Sequence, residues 1–402
     1  MLRAGGRAAV RGPHQSLATI SPRRPTTQLP EALCGRPPDQ TPTGSPAESR
    51  SRRWRAAGRL DGMTIAVAPL ADSDGELAFD IWRLSSLHDL PDFPETTRAW
   101  FFHALHHDRP GRRTERFLAR LDGRPAGYGQ LHLPQDDNPE LCTVDLFVHP
   151  ELRRRGVGRA LHAHLSGRAR ADGRRVMVGV SIARELPGGG GAPHDGAGPG
   201  FAEAMGAEAA LPEIRHRLDV TALDRPRLDR MLAGARTAAA GYRVVFWEDR
   251  APDAYVDDVA YLEGRLLSDA PMGDLEVEPE RPDAARIREI EADQRSRGRT
   301  AWHAGAVHEE SGRLVAWTTL VQDGGRDWHC WQGITLVDPP HRGRRLGLLV
   351  KIENLLRFVA AHPALTAVDT WNAAANTHMI AINVAMGYRP VDGFVQWQLK
   401  LT

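Results

Sequence analysis

The sequence predicts an α/β fold built from two tandem copies of one unit, and three observations carry that prediction. Hydrophobic patterning between Met63 and Val220 runs strand, two helices, three strands, helix, strand, short helix, strand, and the same order starts again at Tyr242. Sliding the chain along itself at a constant offset of 189 lays Phe147–Leu161 over Leu336–Val350 with five identities in fifteen positions, where about one is expected by chance. A length of 402 residues, 41% hydrophobic and 26% charged, suits two cores of ordinary size, and no run of eighteen apolar residues is present to span a membrane.

The first unit is read over residues 63–222. Its opening strand is Thr64–Pro69, followed by helical runs at 74–87 and 96–107. Strands at 116–121, 125–133 and 141–148 come next, separated by the turn residues Asp122-Gly123 and by Pro134–Pro139. A turn rich in arginine and glycine leads into a helix at 157–171, a strand at 175–180, a flexible Gly-rich insertion at 186–200, a short helix, and a closing strand near 214–220. Residues 223–241 read as a linking helix. The second unit, 242–402, repeats this with strands at 242–247, 300–308, 313–322 and 329–337, then a long helix at 346–361, a strand at 365–370, a helix at 376–386 and a last strand at 394–401.

Residues 1–62 mix Arg, Pro, Gly, Ser and Thr without periodicity and predict a disordered leader. Because Met63 directly precedes the first strand, that leader also fits a mis-assigned translation start. It holds eleven arginines against four acids, a balance of +7, which leaves the remaining chain at −6. A mildly acidic body argues against a nucleic-acid partner and favours a cationic small molecule. Three cysteines far apart support neither a disulfide framework nor a zinc site, and a reducing cytoplasm fits them. Lys351 and Lys400 are the two lysines among 52 basic residues, a skew that points to a GC-rich bacterial genome.

The chemistry is concentrated at the strand-to-helix turn. In the first unit it reads Val148-His149-Pro150-Glu151-Leu152-Arg153-Arg154-Arg155-Gly156-Val157-Gly158-Arg159. Proline stops the ladder, and a glycine pair opens the helix with no Cβ between its N–H groups and an approaching ligand. Amides at the positive end of a helix dipole form a diphosphate cradle, and arginines around it add charge-assisted bonds to phosphate oxygens. The second unit repeats the turn as Arg342-Gly343-Arg344-Arg345-Leu346-Gly347, keeping Arg342, Arg344 and Gly347, with Arg345 in place of the first helix-opening glycine. That arginine requires either a backbone that tolerates a Cβ or a shifted ligand.

Arg153 to Gly158 resembles the R/Q-x-x-G-x-G/A acyl-CoA motif of the GNAT superfamily of N-acetyltransferases, and Asn376–Tyr388 resembles the superfamily's later Asn-to-Tyr helix. The arrangement is similar to that of two-domain actinobacterial acetyltransferases. The resemblance implies that each unit is a splayed, mixed, mostly antiparallel sheet flanked by helices. It further implies acetyl-CoA as co-substrate, with pantetheine pairing to Leu146, Phe147 and Val148 in one half and Thr335, Leu336 and Val337 in the other, and with Asn376 near the coenzyme. An amide N–H near Val337 would polarise the thioester carbonyl.

The implied activity is acetyl transfer to the amine of a small molecule by direct attack on the thioester, centred on the second half, whose later helix is more complete. A non-catalytic acyl-CoA-binding or scaffolding module is the alternative, because Asn383 stands where relatives often carry a tyrosine acid, and Cys142 and Trp331 stand where they carry a glutamate base. Gln332 and Asn383 are the catalytic candidates. Asp269, Asp274 and Glu276, with Glu278, form an acidic stretch that would attract a cationic amine. His103, His106 and His107 lack accompanying ligands at metal spacing, so no metal is expected. Trp302, Trp317, Trp328, Trp331, Trp371 and Trp397 of the second half read as core, with one or two lining an acceptor pocket. A monomer or homodimer is expected.

Overall fold

The computed structural model describes residues 59–60, 63–187 and 196–402. The leader up to 58 and the middle of the Gly-rich insertion, 188–195, lie outside the described residues. After the two-residue β1 (Arg59–Leu60), the first half comprises β2 (Met63–Pro69), α1 (Gly75–Asp89), α2 (Arg98–His106), β3 (Arg112–Leu121), β4 (Arg124–Pro134), β5 (Leu141–Val148), α3 (Val157–Ala171), β6 (Val176–Ile182), α4 (Ala197–Ala204) and β7 (Glu208–Asp219). α5 (Arg225–Ala238) links it to β8 (Tyr242–Glu248), α6 (Val256–Asp269), α7 (Ala284–Ser296), β9 (Arg299–His308), β10 (Leu314–Asp323), β11 (His329–Val337), α8 (Leu346–Ala361), β12 (Ala367–Ala373), α9 (Thr377–Met386) and β13 (Arg389–Lys400). No helix among the described residues is long and apolar enough to cross a membrane.

The strands join in the order β1-β2-β3-β4-β5-β6-β13-β7-β12-β11-β10-β9-β8. β5–β6 and β11–β12 are parallel, and the other pairs are antiparallel. The sheet is therefore mixed and mostly antiparallel, as the resemblance implies. Helix α8 covers one face of the second half with Leu349, Val350, Ile352, Leu355 and Phe358, all buried against β9 and β10. Its counterpart α3 does the same for the first half with Leu161, Leu165 and Ala169. Helices α6 and α7 lie over β9 and β10, and Val259 and Ile287 share a buried cluster with Val307 and Trp317.

One feature departs from the sequence expectation that each unit closes on its own last strand. β13 pairs with β6 of the first half, whereas β7 pairs with β12 of the second. Side-chain charge accounts for this interleaving. Arg215 on β7 is fully buried and donates from Nη1 to Asp369 of β12 at 2.6 Å and from Nε to Asp392 of β13 at 2.8 Å. Arg217 adds a second contact to Asp369 at 2.7 Å. Burial alone would raise the Asp369 carboxyl, but hydrogen bonds from Arg217 and His329 and the charge of Arg215 hold it well below the usual carboxylate range. A buried guanidinium that loses its carboxylates is strongly destabilising, so any other register of β7 is penalised. Because each half is completed by a strand of the other, calorimetry is expected to show one cooperative unfolding transition. Two resolved transitions would mean the exchanged strands do not couple the halves.

Candidate active site

Each strand-to-helix turn adopts the same backbone path. Arg154 (φ 63°) and Gly156 (φ 87°) are left-handed in the first half, and Gly343 (φ 80°) and Arg345 (φ 55°) are left-handed at the matching places of the second. Glycine and arginine have traded places within one conformation. Arg345 therefore tolerates the turn without shifting it, at a cost of about 1 kcal/mol for a left-handed residue bearing a Cβ. No side chain caps α3 or α8, which leaves the first amides of each helix open to an anion.

The arginines divide into two groups. Arg153 donates from Nε to the Val148 carbonyl at 3.3 Å and grips Asp89, the last residue of α1, through both terminal nitrogens at 2.6 and 2.7 Å. Arg342 bonds the Val337 carbonyl at 3.0 Å and Asp269, the last residue of α6, at 2.8 Å. This duplicated tie braces the turn against the preceding helix, so these two guanidinium groups are spent on carboxylates and are not poised for phosphate. Arg154, Arg155, Arg159, Arg344 and Arg345 are exposed around the two turns. Val157 and Leu346 anchor the helix starts in the core.

The sheet opens beside each turn. Parallel pairing stops at Val144–Gly179 in the first half and at Trp331–Asp369 in the second. Asp338 N–H bonds to Val315, so by the alternation of an antiparallel ladder Thr335 and Val337 turn their N–H and C=O groups away from β10 and into the gap. The His149 bond to Ala126 orients Leu146 and Val148 in the same way. Phe147 and Leu336, between them, are buried.

The halves differ where chemistry would occur. The β4–β5 ladder is regular from Gly127–Val148 to His132–Thr143, but β11 sets Gly333 and Ile334 against the single residue Thr319. This bulge leaves one residue outside the ladder beside the gap. A Cβ at position 333 would lie 2.7 Å from Thr319 Cγ2, so a larger residue there has to displace the Thr319 side chain. In the first half the Phe201 ring of α4 leans over Gly158, 3.2 Å from where a Cβ would stand. Gly347 faces only Val337 and Thr335 of β11, at 3.4 and 3.7 Å.

A cavity of about 590 Å³ lies against the bulge, lined by Trp331 to Thr335 of β11, Thr370 to Ala373 of β12, and residues of α6, α7, β9 and β10. That volume suits a small organic ligand. Gln332 lines it while its amide nitrogen bonds the Thr319 carbonyl at 2.8 Å and Thr318 Oγ1 at 3.0 Å, so it both faces the cleft and stitches the bulge. Asn376 caps α9 by accepting from Met379 N–H at 3.2 Å and also lines the cavity. Asn383 does not reach it. Fully buried, it donates to Asn372, which does line it, at 2.7 Å.

None of the three acidic substrate candidates lines the cavity. Asp269 is taken by Arg265 and Arg342, Glu276 pairs with Lys400 at 2.8 Å, and the exposed Asp274 uses its backbone N–H on Ala210. The sequence predicts that this stretch attracts a cationic amine, but Leu275 and Val277 alternate inward and turn the intervening acids to solvent. The buried acids on the cavity wall are Glu213 and Glu263, from β7 and α6. Trp317, Trp331 and Trp371 line it, whereas Trp302 packs on Phe358 in the core. His103 and His107 stack on each other, ring centres 4.4 Å apart.

Two cavity residues escaped sequence reasoning. His303 is stacked between Trp247 and Trp317, accepts from Trp317 Nε1 at 3.0 Å, and is pushed down to about 3 by burial, so its ring is neutral. Lys351, six residues into α8, is 1% exposed yet lines the cavity. Its Nζ lies 5.4 Å from the Tyr388 ring centre, and burial brings it down to about 7 with no carboxylate acting on it. Its signal in the sequence was a lone lysine on the apolar stripe of an otherwise buried helix face.

Residues 78–185 match the model of the acetyltransferase (GNAT) family. A mycothiol acetyltransferase of Streptomyces griseus subsp. griseus is 44% identical over 75 residues, 17% of this chain and 22% of that relative. A GCN5-related N-acetyltransferase from Sphaerobacter thermophilus shares the fold at 14% identity, with a TM-score of 0.57, 84% of this chain covered and 96% of that one. A tandem GNAT protein from the clavulanic acid biosynthesis pathway is 30% identical, with a TM-score of 0.68, covering 84% of this chain and 99% of its own. This chain belongs to the GNAT family of acetyltransferases, in its tandem form.

Proposed function

We propose that the second half transfers an acetyl group from acetyl-CoA to the amine of a small molecule. The observation that carries this reading is the coincidence of a bulge on β11, which β5 of the first half lacks, with a ligand-sized cavity against it, whose far wall is completed by Arg112, Leu141, Thr143 and Glu213 of the first half. The residues present fit the coenzyme. The uncapped α8 N-terminus with Gly343, Arg344, Arg345 and Gly347 would hold its diphosphate, and the open edge at Thr335 and Val337 would pair with its pantetheine amides. Bound there, acetyl-CoA supplies an activated acyl thioester.

The chain's own groups orient and assist. A cavity that fixes amine and thioester together supplies most of the acceleration through proximity, worth up to roughly 7–11 kcal/mol. The residue left outside the ladder at Gly333–Ile334, rather than one near Val337, offers an amide N–H for the carbonyl oxygen, with Gln332 holding the bulge in place. Lys351 Nζ would take the part of the missing tyrosine, holding a proton for the departing sulfur and regaining one as the attacking amine sheds its own, so that amine and thioester become amide and thiol. Glu213 and Glu263 place on the wall the carboxyl groups that the acidic stretch at 274–278 does not supply.

A thiol-release assay with acetyl-CoA and a panel of primary amines tests the reading. Amine-dependent release is expected. Saturable acetyl-CoA binding with no amine-dependent release across the panel would replace it with an acyl-CoA-binding module.

A further inference from the structure

Next to the large cavity, α2, β3, β4 and Arg297, which follows α7, surround a second void of about 30 Å³. Four residues of its wall, Trp100, Arg112, Arg116 and Arg297, each carry a buried N–H (Nε1, Nε, Nε and Nη2) that meets no acceptor among the described residues. Trp100 and Arg297 are 8% and 6% exposed, and the Arg297 guanidinium carbon lies 5.9 Å from the Trp100 ring centre. The carboxylates nearby are committed elsewhere. Asp293 accepts from Arg297 Nε at 2.8 Å, and Asp108 accepts from Arg116 Nη2 and the Thr114 amide, each at 2.9 Å. Asp145 pairs with His132 at 2.9 Å.

A buried donor without an acceptor is destabilising, and four around one void call for an occupant that only accepts. Water accepts but must also place two hydrogens of its own. Three of the four donors belong to guanidinium groups, which favour negative charge. We infer that this void binds a small monovalent anion, either a halide or a carboxylate group. Arg112 lines both the void and the large cavity. A carboxylate carried by the acceptor can therefore be held here while its amine lies in the cavity. That source rests on the acetyl-transfer reading, whereas binding of a free anion does not.

The test uses the full chain, melted at constant ionic strength in sodium methanesulfonate, whose anion is too bulky for the void, with sodium bromide or sodium acetate substituted stepwise. A saturable rise in melting temperature with bromide, acetate or both is expected. Trp100→Phe, which keeps the ring and removes one donor, should raise the half-saturating concentration at least threefold. Arg112→Gln should do the same if the tryptophan variant proves unstable. Crystals soaked in bromide should place the anomalous peak between Trp100 and Arg297. An acceptor source adds a further expectation: Trp100→Phe raises KM for amines that bear a carboxylate and leaves plain amines unchanged. Equal melting in all three salts, with no bromide peak in the void, overturns the anion site. Failure of acetyl transfer would leave the salt response intact, so the two readings fail separately.

Discussion

Lys351→Met is expected to lower kcat by about 10²-fold or more while raising the melting temperature. The two effects share one cause. Lys351 is buried with no carboxylate beside it, and its neighbours His216 and Tyr388 are both held neutral by burial. The folded chain therefore resists charging it, down to about 7, whereas the unfolded chain binds that proton up to the ordinary lysine value. Across that window the unfolded state holds more protons, so this group's contribution to stability improves as pH rises and its penalty is complete below about 7. Methionine, of similar length and apolar, removes the penalty. Its advantage in melting temperature should be largest near pH 6 and fade toward pH 10. Activity moves the opposite way, because a proton donor that titrates near neutrality gives the kcat profile an alkaline limb that the variant loses. Lys351→Arg should also fail, since a guanidinium does not release its proton in this range. A lysine with a purely structural role would give a stabilised variant with kcat and its pH profile intact, and that result would remove Lys351 from the mechanism.

Local features of the fold were legible because local rules determine them. The strand at 141–148 and the helix at 157–171 are framed by proline, glycine and a clean apolar period, and the structure places both at those bounds. The exchange of β7 and β13 is invisible to periodicity, because a half-buried strand has the same pattern whichever neighbour it joins. What selects the neighbour is Arg215 meeting Asp369 and Asp392, residues more than 150 positions away. The site divides along the same line. The turn repeats at a fixed offset and can be found by sliding the chain along itself. The bulge at Gly333 depends on the register of β11 against β10, and the Asp89 and Asp269 ties stand at a different offset from the arginines they hold. Lys351 required knowing which face of α8 meets the gap.

Gly347→Val is expected to raise KM for acetyl-CoA by about 10- to 100-fold, roughly 1.4 to 2.7 kcal/mol of binding, with little change in melting temperature. A Cβ at this position meets Val337 and Thr335 only at ordinary contact distance, so the fold accepts it. The added methyl groups instead occupy the space between α8 and the edge of β11 at Thr335 and Val337, where the pantetheine arm would lie. Gly347→Ala should fall between the two. The matching change in the first half separates coenzyme binding from packing. Gly158 already lies under the Phe201 ring, so Gly158→Val must push that ring aside and is expected to lower stability modestly while leaving turnover within about twofold. Both arms are read by steady-state kinetics and thermal melting on the same preparations. If Gly158→Val abolishes turnover and Gly347→Val leaves it intact, catalysis belongs to the first half. The bulge beside Gly333 would then be a structural feature of the sheet.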